Sequence, residues 1–285
     1  MRLVRYGNKG EESPGVLLKD GRIIDVSEHF PDFNKKFFDR GGIKKVEALV
    51  GEDGHGLPAV EGEHRLGSPI ARPGKVVCIG KNYMDHIKET GSDMPMEPVL
   101  FMKAVSSCSG PNDEVEIPKR SAKTDYEAEL GVVIGKTVRY IESEKEAEQY
   151  IAGYLISNDY SEREFQKEHE GQWCKGKSFD TFNPLGPWLV TKDEIADVRA
   201  LSIKLTVNGE ERQNSVTGRM IYDPYYLVWY VSQFMTLEAG DVISTGTPHG
   251  VAFGMKPQQF LKPGDIVETE ISQLGKQRQV CIKAE

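Results

Sequence analysis

The chain has 285 residues, of which 38% are hydrophobic and 28% are charged, a composition that is typical of globular proteins and excludes wholesale disorder. Its 36 basic against 44 acidic residues leave a net charge of −8, which argues against a nucleic-acid partner because such proteins present a basic face. The length predicts one or two domains.

No apolar stretch reaches the length of a membrane span, and the N-terminus lacks the apolar core of a secretory signal. We therefore expect a cytoplasmic protein with no membrane partner. The four cysteines are widely spaced and form no C-x-x-C pair, which predicts reduced core residues. They are Cys78, Cys108, Cys174 and Cys281.

A small first α/β domain is predicted over residues 1–70. Three short strands, near residues 3–6, 15–18 and 23–26, precede a mixed segment that should contain a short helix. The turn-rich stretch 67–74 ends this unit. His55, between two glycines, is predicted to be an exposed loop residue.

A second, strand-rich domain is predicted over residues 71–285. Its long strand runs and few helices argue against a doubly wound sheet or a TIM barrel and predict an α+β, mainly β fold with a mixed or largely antiparallel sheet. The predicted strands lie near 76–79, 115–117, 130–134, 154–156, 188–190, 203–207, 242–244, 266–267 and 280–282. The predicted helices cover 142–151, 162–168 and 225–234, with Asp223 and Pro224 as the N-cap and first residue of the last helix.

Three acidic residues lie at the ends of two predicted core strands. Glu127 and Glu129 project from one face of the first strand, because side chains alternate along a strand. Adjacent carboxylates repel each other, and a hard divalent cation relieves this repulsion. Asp159, at the end of the second strand, completes an E-x-E plus D site for Mg²⁺ or Mn²⁺. The alternative is a solvated strand edge carrying two exposed glutamates.

A short predicted helix follows the strand at 76–79 and carries His86 and Glu89, which are neighbours on one helical surface. A carboxylate beside an imidazole fixes its tautomer and raises its basicity, as a general base acting on water requires. The alternative is an ordinary exposed pair that contributes about 0.2–0.5 kcal/mol.

Residues 171–178 satisfy the pattern G-x-x-x-x-G-K-S of a phosphate-binding loop. That motif binds phosphate only between a strand and a helix. Here a charged, helical sequence precedes it, and a segment with two prolines follows it. We therefore reject a nucleotide-binding function.

Five motifs between residues 75 and 285 together resemble the fumarylacetoacetate hydrolase family. They are C-I-G-K-N-Y-x-x-H-x-x-E, D-Y-E-A-E-L-G-V-V-I-G, N-D-Y-S-E-R-E-F-Q, K-G-K-S-F-D and T-G-T-P-H-G-V. The resemblance implies a roll of mixed β-sheet, a homodimer, and Mg²⁺ or Mn²⁺ as cofactor. The N-terminal unit and the stretches G-Q-W-x-K-G-K-S and G-P-W-L-V-T resemble the branch that acts on 2,4-diketo-3-deoxy sugar acids (rhamnonate or fuconate derivatives), some of whose members are labelled ureidoglycolate lyases.

The same resemblance implies roles for individual residues. The metal ligands would be Glu127, Glu129 and Asp159, and the water-activating pair His86 and Glu89. Lys177 would face the reacting carbonyl. The substrate-binding residues would be Arg163, Gln166, Thr247 and Lys103.

These roles predict a Mg²⁺-dependent hydrolase that cleaves a C–C bond of a 2,4-diketo acid and releases pyruvate and a carboxylic acid. The alternatives are an oxaloacetate-type decarboxylase or keto–enol tautomerase, which needs no activated water, and a ureidoglycolate lyase-like activity. A non-catalytic protein that binds small acids is a further alternative, but it would have no use for a general base.

Overall fold

A computed structural model of the chain describes residues 1–54 and 56–285, so the loop prediction for His55 lies outside the described residues. The strands are β1 (Arg2–Tyr6), β2 (Ser13–Leu17), β3 (Ile23–Asp25), β4 (Val76–Gly80), β5 (Val99–Lys103), β6 (Cys108–Ser109), β7 (Val115–Ile117), β8 (Thr124–Asp125), β9 (Ala128–Ile134), β10 (Ile151–Asn158), β11 (Ser161–Glu162), β12 (Asn183–Thr191), β13 (Ser202–Val207), β14 (Glu210–Val216), β15 (Val242–Ser244), β16 (Ile266–Ile271) and β17 (Gly275–Lys283).

The α-helices are short. They are α1 (Lys35–Asp39), α2 (Gly42–Val50), α3 (Met84–Thr90), α4 (Arg163–Lys167), α5 (Cys174–Lys177) and α6 (Pro224–Ser232). Single turns of 3₁₀-helix cover Val105–Ser107, Lys192–Glu194, Thr217–Arg219 and Ala252–Gly254, and a longer one covers Glu144–Tyr150.

The fold is built on two large β-sheets. The larger has the order β3-β2-β1-β12-β10-β9-β15-β4-β5, and β6 pairs with β12. The second has the order β14-β13-β16-β17-β7, and β8 pairs with β11 in a two-stranded ribbon. Most pairs are antiparallel, but β15 with β4, β12 with β6 and β17 with β7 are parallel. This arrangement confirms the predicted α+β, mainly β class with mixed sheets.

The large sheet is buried on both faces. Along β9, Val132 packs in the core that the second sheet covers, and the next residue, Val133, packs in the core shared with α1 and α2. Alternation of side chains across the strand produces this division. Because both faces are covered, β9 is apolar at nearly every position, and a polar residue there needs a specific partner.

The large sheet runs across the predicted domain boundary at residue 70. Strand β1 pairs with β12, with Leu3 opposite Leu189. The first 70 residues therefore contribute three strands to the sheet that also carries β9 and β10, and the two-domain division stays a prediction.

Several local predictions need correction. The helix predicted over 142–151 is a 3₁₀-helix that ends at Tyr150, and Ile151 begins β10. Strand β14 was not predicted, because its sequence is polar and it lies on a partly exposed edge. Cys78 and Cys281 are buried and Cys108 is half-buried, but Cys174 is exposed because it opens the four-residue helix α5 in a surface loop.

Two local predictions are confirmed. The segment that resembles a phosphate loop follows α4 rather than a strand, as its flanking residues predicted. Among the described residues, no helix combines the length and apolar character needed to cross a bilayer. Asp223 caps α6: its carboxylate accepts hydrogen bonds from the N–H groups of Tyr225 and Tyr226 at 2.9 and 3.0 Å, and Pro224 is the first helical residue.

The cap of α6 gives a stability prediction. Asp223→Ala should lower the free energy of unfolding by about 1 kcal/mol, because two N–H groups at the helix start lose their acceptor. The urea midpoint should fall with an unchanged m-value. Asp223→Ser keeps an acceptor oxygen, so its free energy of unfolding should fall clearly less than that of Asp223→Ala. Equal losses in the two variants would show that the cap is not what Asp223 contributes.

Candidate metal centre and active site

Strand pairing brings the three predicted metal ligands together. In the antiparallel pair of β9 and β10, Glu129 lies opposite Ser157. Glu127 immediately precedes β9 and Asp159 immediately follows β10, and the Asp159 N–H donates to the Glu127 carbonyl at 2.9 Å. One carboxylate oxygen of each residue lies within 4.8 Å of the other two, and all three side chains are buried.

Buried cations neutralise two of these carboxylates. Lys177 Nζ lies 2.6 Å from Glu127 Oε2 and 2.6 Å from Asp159 Oδ2, so one ammonium bridges two acids. Lys103 Nζ donates to the other oxygen of Asp159 at 2.5 Å and to the Tyr160 carbonyl at 3.0 Å. These contacts fix both carboxylates in orientation.

Arg163 connects the carboxylates to a nearby loop. Its Nη2 donates to Glu127 Oε1 at 2.7 Å, its Nη1 to Gln166 Oε1 at 2.9 Å, and its Nε to Asp125 Oδ2 at 2.8 Å. Asp125 also accepts from the N–H groups of Ala252 and Phe253. The wholly buried Asp125 thereby joins Arg163 to the 3₁₀ turn Ala252–Gly254.

The three acids have different electrostatic surroundings. Burial raises the pKa of the Glu127 carboxyl, but the charges of Arg163 and Lys177 outweigh burial, and the net pKa lies below its usual range. For Glu129, burial and the charges of Asp159 and Glu127 together hold the pKa well above its usual range. Among the described residues, Glu129 has no basic partner and accepts only the Gly246 N–H, at 2.9 Å.

This donor set fits a hard divalent cation. When all four are ionised, the buried carboxylates of Asp125 and the three predicted ligands outnumber by one the buried cations that pair with them, which are Lys103, Lys177 and Arg163. Carboxylate oxygens carry several lone pairs, so those already in hydrogen bonds can still bind a metal. Mg²⁺ and Mn²⁺ both prefer such oxygen ligands, and a cation at Glu129 would supply the charge that this residue lacks.

His86 and Glu89 lie on α3 as predicted, but they are not hydrogen-bonded. Nδ1 of His86 is 3.7 Å from Glu89 Oε2, which exceeds hydrogen-bond distance. This nitrogen is buried and has no partner among the described residues. The Glu89 carboxylate instead accepts the Gly250 N–H at 3.0 Å. A small closure would bring the pair into contact, as is common when a catalytic site binds its substrate.

One pocket gathers most of the predicted residues. Its lining includes His86, Glu127, Glu129, Arg163, Gln166, Lys177 and Thr247. The remaining three do not line it: Glu89 lies next to His86, while Asp159 and Lys103 are wholly buried beside Lys177. The Thr247 hydroxyl donates to the Ala128 carbonyl and accepts from Gln213 Nε2 at 2.8 Å.

Among the described residues that line the pocket, nine were not predicted as site residues. The charged and aromatic ones are Lys81, Phe101, Lys167, Trp173 and Phe253. Lys167 follows Arg163 by four residues on a predicted helix, so its spacing could have identified it. The aromatic residues come from separate segments, and only the fold brings them together. A Cβ on Gly80 would lie 2.7 Å from the Trp173 ring, which explains the glycine at that position.

The chain is similar in sequence to known proteins. A family model described as "Fumarylacetoacetate (FAA) hydrolase C-terminal" matches residues 75–281. A protein of Burkholderia ambifaria that is provisionally named a hydrolase is 50% identical over 280 residues, with 98% of each chain covered.

Two solved structures extend the comparison. The 2-hydroxyhepta-2,4-diene-1,7-dioate isomerase of Mycobacterium marinum superposes with a TM-score of 0.77 at 31% identity, covering 99% of this chain and 98% of that one. The maleylpyruvate hydrolase of Sphingobium sp. SYK-6, solved with manganese(II) ion and pyruvate, superposes with a TM-score of 0.80 at 28% identity over the whole of both chains.

The unequal surroundings of the two glutamates give a prediction for metal-free protein in EDTA. Glu129→Gln should raise the thermal midpoint, because it removes a buried acid without a basic partner. The gain should grow from pH 5 to pH 8, because an acid whose pKa is raised by folding makes the protein less stable as the pH rises above the pKa of the unfolded chain.

Glu127→Gln is the matched control. It should lower the midpoint, because Arg163 and Lys177 would lose a charged partner in a buried site. Shifts in the same direction for the two variants would contradict the charge distribution described above.

Proposed function

Because the chain belongs to the fumarylacetoacetate hydrolase family, we propose that it is a metal-dependent hydrolase that cleaves the C3–C4 bond of a 2,4-diketo acid to pyruvate and a second carboxylic acid. The observation that carries the proposal is the cluster of three buried carboxylates with a histidine in the same pocket. The similar maleylpyruvate hydrolase, solved with manganese and pyruvate, supports a metal at this cluster and a 2-oxo acid beside it.

Glu127, Glu129 and Asp159 would hold Mg²⁺ or Mn²⁺. When bound, such an ion supplies Lewis-acid polarisation to the oxygens of a 2-oxo carboxylate. Lys103 and Lys177 orient the Asp159 carboxylate for this role through their hydrogen bonds. We therefore assign Lys103 to positioning Asp159, in place of the direct substrate contact that the family resemblance implied.

His86 would act as the general base. It takes one proton from water, and the water oxygen forms a bond to C4 of the substrate. The C3–C4 bond then breaks, its electron pair passes to C3, and a proton added there completes pyruvate. Glu89, once in contact with Nδ1, would orient the ring and stabilise its protonated form.

Lys177 has a donor left for the reacting oxygen. An ammonium has three N–H groups, and two of them are directed at Glu127 and Asp159. We propose that the third stabilises the negative charge that develops at the C4 oxygen. Arg163, Gln166 and Thr247 would contact the substrate from the same pocket.

The family resemblance also bears on the acyl group of the substrate, the oligomeric state and the cellular location of the protein. Membership of the sugar-acid branch would give the acyl group a hydroxylated chain. A homodimer and a cytoplasmic location remain proposals from the family resemblance.

A keto–enol tautomerase or a decarboxylase is the second candidate. The 3.7 Å gap between His86 and Glu89 favours it, because these reactions need no activated water. The similarity to the 2-hydroxyhepta-2,4-diene-1,7-dioate isomerase points to the same class. In that case the metal cluster keeps its role and the histidine pair becomes less important.

The deciding experiment follows the loss of enol absorbance from acylpyruvates and assays pyruvate, with Mn²⁺, with Mg²⁺ and with EDTA. We expect metal-dependent loss with stoichiometric pyruvate. Metal-dependent turnover of oxaloacetate with acylpyruvates unchanged would support the second candidate. Titration calorimetry should also show Mn²⁺ binding to the wild type and much weaker binding to Glu129→Gln, which has lost a charged ligand.

The role of the histidine has its own test. His86→Ala should lower kcat for hydrolysis by about 10²- to 10⁴-fold, because a general base contributes a factor of this size. Mn²⁺ binding should be retained, because His86 is not among the proposed ligands. His64→Ala, which changes an exposed histidine elsewhere, is the control. Unchanged turnover in His86→Ala would exclude the hydrolytic mechanism described above.

A further inference from the structure

The segment from residue 250 to residue 254, which ends in a 3₁₀ turn, holds the Glu89 side chain at two points. The Gly250 N–H lies 3.0 Å from both carboxylate oxygens of Glu89. At Gly254 the backbone packs directly on the same side chain, because a Cβ at this position would lie 2.3 Å from Glu89 Cγ and Cδ. The position of the Glu89 carboxylate is therefore set by the position of segment 250–254.

Asp125 fixes this segment to the core. Its Oδ1 accepts the Ala252 N–H at 2.8 Å, and its Oδ2 accepts the Phe253 N–H at 3.0 Å. The hydroxyl of the next residue, Tyr126, donates to the Gly250 carbonyl at 3.1 Å. Both side chains are buried, and Asp125 is wholly so. A buried carboxylate that accepts several charge-assisted hydrogen bonds restricts its donors to a narrow range of positions.

The same carboxylate is also tied to the metal cluster. Asp125 Oδ2 accepts Arg163 Nε at 2.8 Å, and Arg163 Nη2 donates to Glu127 at 2.7 Å. An unbroken set of contacts therefore connects a predicted metal ligand to the predicted partner of the histidine. It runs from Glu127 to Glu89 by way of Arg163, Asp125 and segment 250–254.

The Glu89 carboxylate depends on this support because its partner lies just outside hydrogen-bond range. Glu89 Oε2 is 3.7 Å from His86 Nδ1, so a movement of about 1 Å completes the pair. A carboxylate has several lone pairs, so Glu89 can accept from His86 while it keeps the Gly250 N–H. A misplacement of about 1 Å can cost a catalytic site a factor of about 10² in rate, so freedom of the segment would be costly.

We propose that Asp125 is a positioning residue for the general base: through segment 250–254 it holds Glu89 where a small closure brings it into contact with His86. This inference rests on the proposed function, in which His86 takes a proton from water. Asp125 does not line the candidate pocket, and it acts on the reaction only through other residues. It was not among the predicted site residues.

The first test is a double-mutant cycle on the Mn²⁺-loaded enzyme with an acylpyruvate. Asp125→Asn should lower kcat by about 10- to 100-fold, the range for losing an outer partner of a functional side chain, and should change KM much less. In the Glu89→Gln background the same substitution should have little further effect, because both residues act on one step. Independent losses that multiply, or a raised KM at unchanged kcat, would assign Asp125 to Arg163 alone and overturn the proposal.

Gly254→Ala tests the same contact with Asp125 and Arg163 intact, and it replaces Asp125→Asn if that variant does not fold. The added methyl group would collide with the Glu89 side chain, which is flexible and can move away from the Gly250 N–H. Gly254 does not have a positive φ, so alanine fits its backbone. We expect an unchanged thermal midpoint and a lower kcat, with no further loss in Glu89→Gln. An unchanged kcat in folded Gly254→Ala would refute the role of the segment.

Asp113→Asn is the matched control. Asp113 also joins an arginine to a backbone N–H group, because its carboxylate accepts from Arg65 and from the Gly110 N–H. It does not line the candidate pocket. Its loss should leave kcat and KM unchanged. A loss of kcat as large as that of Asp125→Asn would show that any buried carboxylate of this kind is needed, which contradicts a specific role for Asp125.

Amide hydrogen exchange, followed by NMR without substrate, gives a readout independent of turnover. The Gly250 N–H is bonded to Glu89 and not to Asp125, so its exchange reports on the contact between segment and carboxylate. Asp125→Asn should speed this exchange by about 10- to 100-fold, the range for losing a hydrogen bond to a charged group, and Asp113→Asn should not. Unchanged exchange at Gly250 would overturn the proposal. If the wild type hydrolyses no acylpyruvate, the proposed function fails, and exchange at Gly250 still decides whether Asp125 positions Glu89.

Discussion

The bridge that Lys177 makes between Glu127 and Asp159 is the interaction on which the rest of the site depends. Three carboxylates in a buried space of a few ångströms would repel one another and be costly to desolvate. The ammonium, 2.6 Å from two of them, makes their burial tolerable while Lys103 and Arg163 hold the outer oxygens. Within the described part of the chain, Glu129 is the one of the three without such a partner, and this asymmetry makes the cluster suitable for a divalent cation.

The large sheet determines where the three acidic side chains lie. Antiparallel pairing of β9 with β10 brings the start of one strand beside the end of the other. Glu127 and Asp159, more than 30 positions apart in the sequence, therefore lie next to each other at the same end of the two strands. Gly246, in the turn after β15, brings its N–H to Glu129 from the other side. The acids therefore lie on rigid strands, while His86 lies on the short helix α3 and can adjust when a ligand binds.

Local patterns in the sequence predicted a large part of this arrangement. The alternation of Glu127 and Glu129, the apolar strand before Asp159 and the i, i+3 spacing of His86 and Glu89 are all short-range signals, and the structure brings these residues together. The partners of the charges could not be predicted in this way. Lys103 beside Asp159, and Asp125 between Arg163 and the Ala252–Gly254 turn, depend on packing between distant segments. The polar strand β14 was missed because an exposed edge does not need the hydrophobic alternation that identifies a strand.

The pairing of β4 with β15, which sets Val76 opposite Val242, also has a consequence for how the protein folds. More than 160 residues lie between these two strands, and such distant pairings make folding slow because loop-closure entropy must be overcome before the contacts form. His86 follows β4 and Thr247 follows β15, so the two reach the same pocket only after this closure. The candidate site should therefore be among the last parts of the molecule to form, and a chain interrupted between these strands should lack it even where its local helices and hairpins are intact.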